Sequence, residues 1–185
     1  MTDLHFVTTN DHKLLSATEV CSQFGLKIIR HNLEFQEIQA ETGEEIAADK
    51  VAKAYAKLGK PVAVTDDSWI IPGLNGFPGP YMKYMIHWLT VEDFLRLTSQ
   101  LDDRRIILRQ IIAYQDGEQS KVFSVDIEGL LLTEPRGTSP ITHFSITSFD
   151  GGNHSAAELW GSGSSSISAR HTAWHDVAEW LTKRT

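Results

Sequence analysis

Apolar positions at the start of the chain switch repeatedly between a two-residue and a 3.6-residue period. "LHFVTT" (4–9) reads as a short strand, after which Asn10 can cap a helix running to about Phe24, with Leu14, Leu15, Thr18 and Cys21 on one face and Gly25 as its stop. "KIIRHNL" reads as a second strand. Thr42 and Glu45 then have the spacing of a capping box, and Ile46, Val51, Ala54, Tyr55 and Leu58 mark a helix that "GKP" ends. "VAVTDD" follows as a third strand. This strand–helix alternation predicts an α/β fold with helices on a largely parallel core. Beyond a glycine- and proline-rich segment, Pro80 to Leu89 reads as a short helix and Thr90 opens another through "VEDFLRLTSQL". "RRIILRQIIAY" and "KVFSVDIEGLLL" predict long strands joined around Asp116-Gly117, a hairpin signal. "ITHFSITSF" alternates as a further strand, "GSGSSS" as a loop, and Ser168 is placed to cap a last amphipathic helix carrying Trp174, Val177 and Leu181.

The chemistry collects where strands end. "TTNDHK" lies at the handover from first strand to first helix, where open α/β sheets hold ligands and a helix start favours an anion, so Thr8, Thr9, Asn10 and Lys13 can line a phosphate site. The alternative is an ordinary N-cap followed by a solvated lysine. Lys50 shares a helix stripe with Lys53 and Lys57, which by itself reads as a solvated face, and Glu41 lies just before that helix. Asp66 and Asp67 end an apolar strand, where two like charges need a cation, water or a donor to compensate them. Adjacent strand residues point to opposite faces, so only one of the pair should enter a given site. A carboxylate with Mg²⁺ suits phosphate chemistry; the competing reading is a turn into Ser68.

The size and charge of the chain narrow the options further. It has 185 residues, 41% hydrophobic and 22% charged, enough for one well-cored domain over 1–185. Seventeen basic against twenty-four acidic residues leave a net charge of −7, which argues against nucleic acid or an anionic membrane as the main partner. Cys21 is the single cysteine, so no internal disulfide forms. The first residues lack a basic region and a long apolar core, and no run reaches membrane-spanning length; the expected location is the cytoplasm. P-loop, G-x-G-x-x-G, H-E-x-x-H, CxxC and G-x-S-x-G patterns are all absent.

"TTNDHK", Glu41 with Lys50, "VTDDSW" and "GLNGFPGPYMKY", in this order, resemble the inosine triphosphate pyrophosphatase family, closely over residues 4 to 90 and loosely through "EPRG" to the last helix. The resemblance implies an elongated mixed sheet flanked by helices, in two lobes with a central cleft, and a likeness to enzymes that split non-standard purine triphosphates such as ITP and XTP into monophosphate and pyrophosphate with Mg²⁺, as homodimers. It implies Thr8, Asn10, Lys13 and Lys50 on phosphates, and Glu41 and Asp67 around the metal with Asp67 as general base. Ser68, Gly76, Phe77, Pro78, Gly79 and Tyr81 would lie beside or under the nucleotide, and Ser168 and Arg170 against its base. "YMKYMIHWL" carries more large apolar residues than one buried helix face needs, in keeping with a homodimer.

The second half departs from the family. Its G-F-G-[YW]-D-P run is replaced by "TSPITHFSI", its phosphate lysine is missing from "GSGSSS", and its S-H-R reads "SAR", with Ala169 for histidine. Two expectations follow: a pyrophosphatase with altered base recognition, or a catalytically weakened relative that binds a nucleotide or a protein without turnover. Of His143 and Phe144, which stand where the family's aromatic clamp would be, a strand would send at most one to the base.

Overall fold

A computed structural model describes residues 2–160 and 171–184. The alternating opening is present as β1 (Thr2–Val7), α1 (Asp11–Gln23), β2 (Leu26–His31), α2 (Gly43–Leu58) and β3 (Val62–Ile70). β1 pairs in parallel with both β2 and β3, as helical crossovers allow. A 3-10 turn (Pro72–Leu74) leads to β4 (Pro78–Gly79), α3 (Met82–Trp88), α4 (Val91–Thr98), β5 (Arg105–Gln115) and β6 (Ser120–Leu131); a second 3-10 turn (Thr142–Ile146), β7 (Thr147–Ser148) and α5 (Ala173–Thr182) complete the order. The seven strands form one sheet in the order β2-β1-β3-β5-β6-β7, with β4 paired to β3. Since β6 and β7 are antiparallel, the sheet is mixed, and the fold is α/β with helices flanking it. Among the described residues no helix is long and apolar enough to cross a membrane.

The chain divides into two compact units. The first comprises Met1–Asp67, Gln110–Val125 and His171–Thr185. Its strands are apolar on both faces, as expected where helices cover both. Leu4, Phe6 and Ala63 pack with Ala17, Val20 and Cys21 of α1 and Trp174 and Val177 of α5. Val7, Val62 and Val64 pack with Ala47, Val51 and Ala54 of α2. Along β3, therefore, even-numbered residues face α2 and odd-numbered residues face α1. α2 begins at the expected capping box, Thr42 with Glu45, and ends at Gly59. On α1, Leu15 is exposed and the buried face is Ala17, Val20 and Cys21, small side chains that let the helix lie close to the sheet. The last helix is capped by Thr172, whose N–H donates to His175 Nδ1 at 3.1 Å, in place of Ser168, which lies outside the described residues.

The second unit comprises Ser68–Arg109 and Asp126–Arg170. Its core gathers Trp69, Ile71, Met85, Phe94, Ile106 and Phe149, among others. The glycine- and proline-rich run bends the chain from β3 to α3: Gly76 and Gly79 take φ of +91° and +59°, open to glycine at no steric cost. The expected strand "ITHFSITSF" is a 3-10 turn with only Thr147–Ser148 extended. Hydroxyls explain the difference, because Ser145 Oγ donates to the Thr142 carbonyl and Thr147 Oγ1 to the His143 carbonyl, both at 2.9 Å. Such back-bonding competes with a strand ladder.

The turn brings both His143 and Phe144 against Trp69, with ring centroids 4.5 and 6.2 Å from it. His143 is 4% exposed, and neither ring nitrogen has a hydrogen-bond partner among the described residues. Burial pushes its pKa down from 6.5 to about 4. A depressed histidine pKa contributes stability that is complete above pH 6.5 and lost as pH falls through 4, a loss of about 3 kcal/mol by the bottom of that window. We expect His143→Phe, which keeps an aromatic ring, to flatten the fall in unfolding midpoint between pH 7 and 4.5. Parallel pH profiles for the two proteins in thermal melts would show that His143 is not the acid-labile group.

Candidate active site

Two strand ends and two helices of the first unit assemble the site. β1 hands over to α1 through Thr8, Thr9 and Asn10. Asn10 is the N-cap: its Oδ1 accepts from the N–H groups of His12 (2.9 Å) and Lys13 (3.1 Å). Thr8 is buried, and its hydroxyl accepts from the Asn10 N–H at 3.1 Å. Two first-turn N–H groups are thus already satisfied. An anion here meets side chains, Lys13 foremost, more than bare helix-end amides.

The alternation along β3 decides where the two aspartates go. Asp67 faces α1, and its carboxylate pairs with Lys13 Nζ at 2.9 Å. Asp66 faces α2 and lies 3.7 Å from Lys50 Nζ. Lys50 also pairs with Glu37 at 2.5 Å, and its side chain is only 16% exposed, so it belongs to the site and not to a solvated stripe. Lys53, one turn on, pairs with Asp49 instead. The two aspartates lie on opposite faces, each beside a lysine of the helix covering its own face, yet Asp66 also senses Lys13 and Asp67, so both, and not one alone, belong to the same cluster at the strand end.

The electrostatics tie these five residues into one cluster. Burial pushes the Asp66 carboxyl up to about 6, reinforced by Asp67 and Glu37 and opposed by Lys50 and Lys13. For Lys13, desolvation works against the charged form, but the charge and hydrogen bond of Asp67, backed by Asp66 and Glu37, outweigh it and raise its pKa. Three carboxylates stand against two ammonium groups. The donor set is hard oxygen, which suits Mg²⁺ or a similar divalent cation. Among the described residues no three acidic, histidine or cysteine side chains stand so that together they could hold a metal ion. A cation bound here would keep water or ligand oxygens in its shell, the usual habit of Mg²⁺ at phosphate sites.

Glu41 is exposed at the approach to α2, whereas Glu37, which the sequence reading passed over, meets Lys50. Ser68 follows Asp67 and is buried, and its hydroxyl lacks a partner among the described residues. Phe77, Gly79 and Tyr81 belong to the second unit: Phe77 is 47% exposed, Gly79 pairs with Trp69 in the β3–β4 ladder, and Tyr81 is the N-cap residue of α3. Ser168 and Arg170 lie outside the described residues.

Known proteins align with this chain along almost its whole length. A sequence model of the Ham1 family matches residues 4–180. A dITP/XTP pyrophosphatase of Methanopyrus kandleri is 32% identical over 176 residues, covering 95% of this chain and 94% of that protein. One of Methanosarcina acetivorans is 30% identical over 180 residues, covering 97% of each. In fold, the chain is similar to a HAM1 protein from Coxiella burnetii, with a TM-score of 0.80 at 24% identity over 99% of this chain and 100% of that one. The Staphylococcus aureus Ham1 protein gives 0.77 at 19% identity over the full length of both.

Proposed function

The chain belongs to the Ham1 family, and from that premise we propose that it is a nucleoside triphosphate pyrophosphatase, releasing pyrophosphate and a nucleoside monophosphate from non-standard purine triphosphates. The observation that carries this reading is the cluster of Lys13, Lys50, Glu37, Asp66 and Asp67, two cations and three carboxylates at a strand end. A pure binder of an anionic triphosphate has no use for an excess of carboxylates. A hydrolase does, for a base and for metal ligands.

In this reading Asp67 accepts the proton of the attacking water while the bond between the α- and β-phosphates breaks. Its carboxylate lies 2.9 Å from Lys13 Nζ at the end of β3, where the phosphate chain is to be held. Lys13 and Lys50 exchange carboxylate partners for phosphate oxygens, with Thr8 and Asn10 shaping the turn beside them. Glu37, which meets Lys50, would hold the metal together with Asp67, in the place that the family resemblance implies for Glu41. A divalent cation, Mg²⁺ in this proposal, would supply beside these carboxylates the positive charge that a triphosphate needs. Positioning and charge neutralisation are most of what such a transfer asks of a protein. The orphaned Ser68 hydroxyl is a donor or acceptor for the nucleotide, and nucleotide contacts are proposed for Phe77, Gly79, Tyr81, Ser168 and Arg170 on the family resemblance alone.

Base recognition is altered in this proposal, because His143 and Phe144 pack on Trp69 as core residues where the family's clamp would be. The alternative, a binder without turnover, draws on the same missing clamp and on the lysine absent from 161–166. A homodimer is also proposed, on the exposed stacked pair Tyr84 and Trp88 of α3, 46% and 73% exposed; a monomer at micromolar concentration in sedimentation would argue against it. The free, buried Cys21 suits a reducing compartment such as the cytoplasm. The products test the reading: chromatography after incubation with dITP and Mg²⁺ should give dIMP and pyrophosphate. Formation of dIDP and phosphate instead would overturn it.

A further inference from the structure

Arg30 stands opposite Phe6 in the parallel pairing of β2 with β1, one residue from the strand end. Its guanidinium is committed at two points. Nε donates to the Thr8 carbonyl at 3.0 Å, and Nη1 donates to Asp11 Oδ1 at 2.6 Å. Those acceptors are the residue where the β1–α1 turn begins and the residue where α1 starts. Between them lie Thr9 and Asn10, and two residues on is Lys13, the partner of Asp67.

We propose that Arg30 is a positioning residue for the triphosphate: its planar fork clamps the two ends of this turn and so sets the placement of Thr8, Asn10 and Lys13. The inference rests on the proposed function for the identity of the ligand, and on the hydrogen bonds alone for the clamp. Arginine suits the task because its donors are held in a fixed plane and can serve two acceptors at once, whereas lysine offers one compact charge. Both bonds are charge-assisted at the donor, and the one to Asp11 at both ends. Asp11 lies in the first turn of α1, where a carboxylate is favoured by the helix dipole, so its position is already defined when Arg30 reaches it. The side chain of Arg30 is 28% exposed against 84% for Asp11, so the arginine is the more enclosed partner of the pair.

Asp66 and Asp67 are held by β3 and Lys50 by α2, independently of this clamp. Loosening the turn should therefore weaken binding of the phosphate chain more than it slows the chemical step. For Arg30→Ala, KM for dITP should rise about 10-fold or more with kcat within about 3-fold of wild type, on the scale of one lost charge-assisted bond. Affinity for inorganic tripolyphosphate with Mg²⁺, read by calorimetry, should fall by a similar factor. Arg30→Lys should recover part of both, and Asp11→Ala should shift both in the same direction by a smaller factor. Asp11 is so exposed that its variant keeps the fold, so it decides the matter if Arg30→Ala does not fold. Unchanged KM and unchanged tripolyphosphate affinity in Arg30→Ala would overturn the inference. So would tighter tripolyphosphate binding in Asp11→Ala, since that would make the guanidinium a phosphate ligand in its own right. If wild type binds tripolyphosphate, Arg30→Ala loses that binding and neither turns over dITP, the clamp stands and the proposed activity falls. Turnover by wild type with an indifferent Arg30→Ala gives the reverse.

Discussion

Asp67→Asn should lower metal-dependent pyrophosphate release by about 100-fold or more, the usual scale for removing a general base. The substitution keeps the shape of the side chain and removes only its charge and basicity. Its ion pair to Lys13 joins side chains that are 31% and 29% exposed, a degree of solvation at which such pairs add little to stability. The unfolding midpoint should therefore stay close to that of the parent. Loss of activity with an intact melt places the effect on chemistry. An unaltered rate would remove Asp67 from the mechanism, and a collapsed melt would make it a structural residue.

The second large effect separates two glutamates. Glu37→Gln should reduce turnover by about 100-fold and shift the metal requirement to higher concentration, because it removes one of three carboxylates and frees Lys50 from its 2.5 Å partner. Glu41→Gln, at an exposed position outside the ion pairs of the cluster, should change turnover by no more than about 3-fold, as surface substitutions away from a site usually do. Titrating each variant with Mg²⁺ checks both halves. The opposite ranking would restore the role that the sequence resemblance implied for Glu41.

The same pair shows why the site was only partly legible beforehand. α1, α2 and β3 carry strong local signals: an Asn cap, a Thr42–Glu45 capping box, and an apolar strand that stops at two acids. Alternation then anticipates that Asp66 and Asp67 part company, and the pairing with Lys50 and Lys13 follows from which helix covers which face. Glu37 and Glu41 lie in the irregular stretch between β2 and α2, where no period sets a side chain's direction. Only the folded path brings Glu37 to Lys50. Lys50 itself is indistinguishable in sequence from Lys53 and Lys57, since helical spacing puts all three on one stripe; proximity to the end of β3 separates them. In the second half, "ITHFSI" has the alternation of a strand, but its hydroxyls close on nearby carbonyls and make a 3-10 turn. A pattern reading counts apolar positions and misses that competition.

Turnover with loosened base selection is read out by one kinetic panel. Pyrophosphate release is measured with Mg²⁺ on ITP, XTP, dITP, GTP and ATP, with each nucleotide's binding followed in parallel by thermal shift. The account predicts release from ITP, XTP and dITP, with kcat/KM for ITP exceeding that for GTP by less than about 100-fold, the discrimination a site without well-paired polar contacts reaches. Thermal stabilisation by these nucleotides without any pyrophosphate release would contradict it and leave a binding protein in its place.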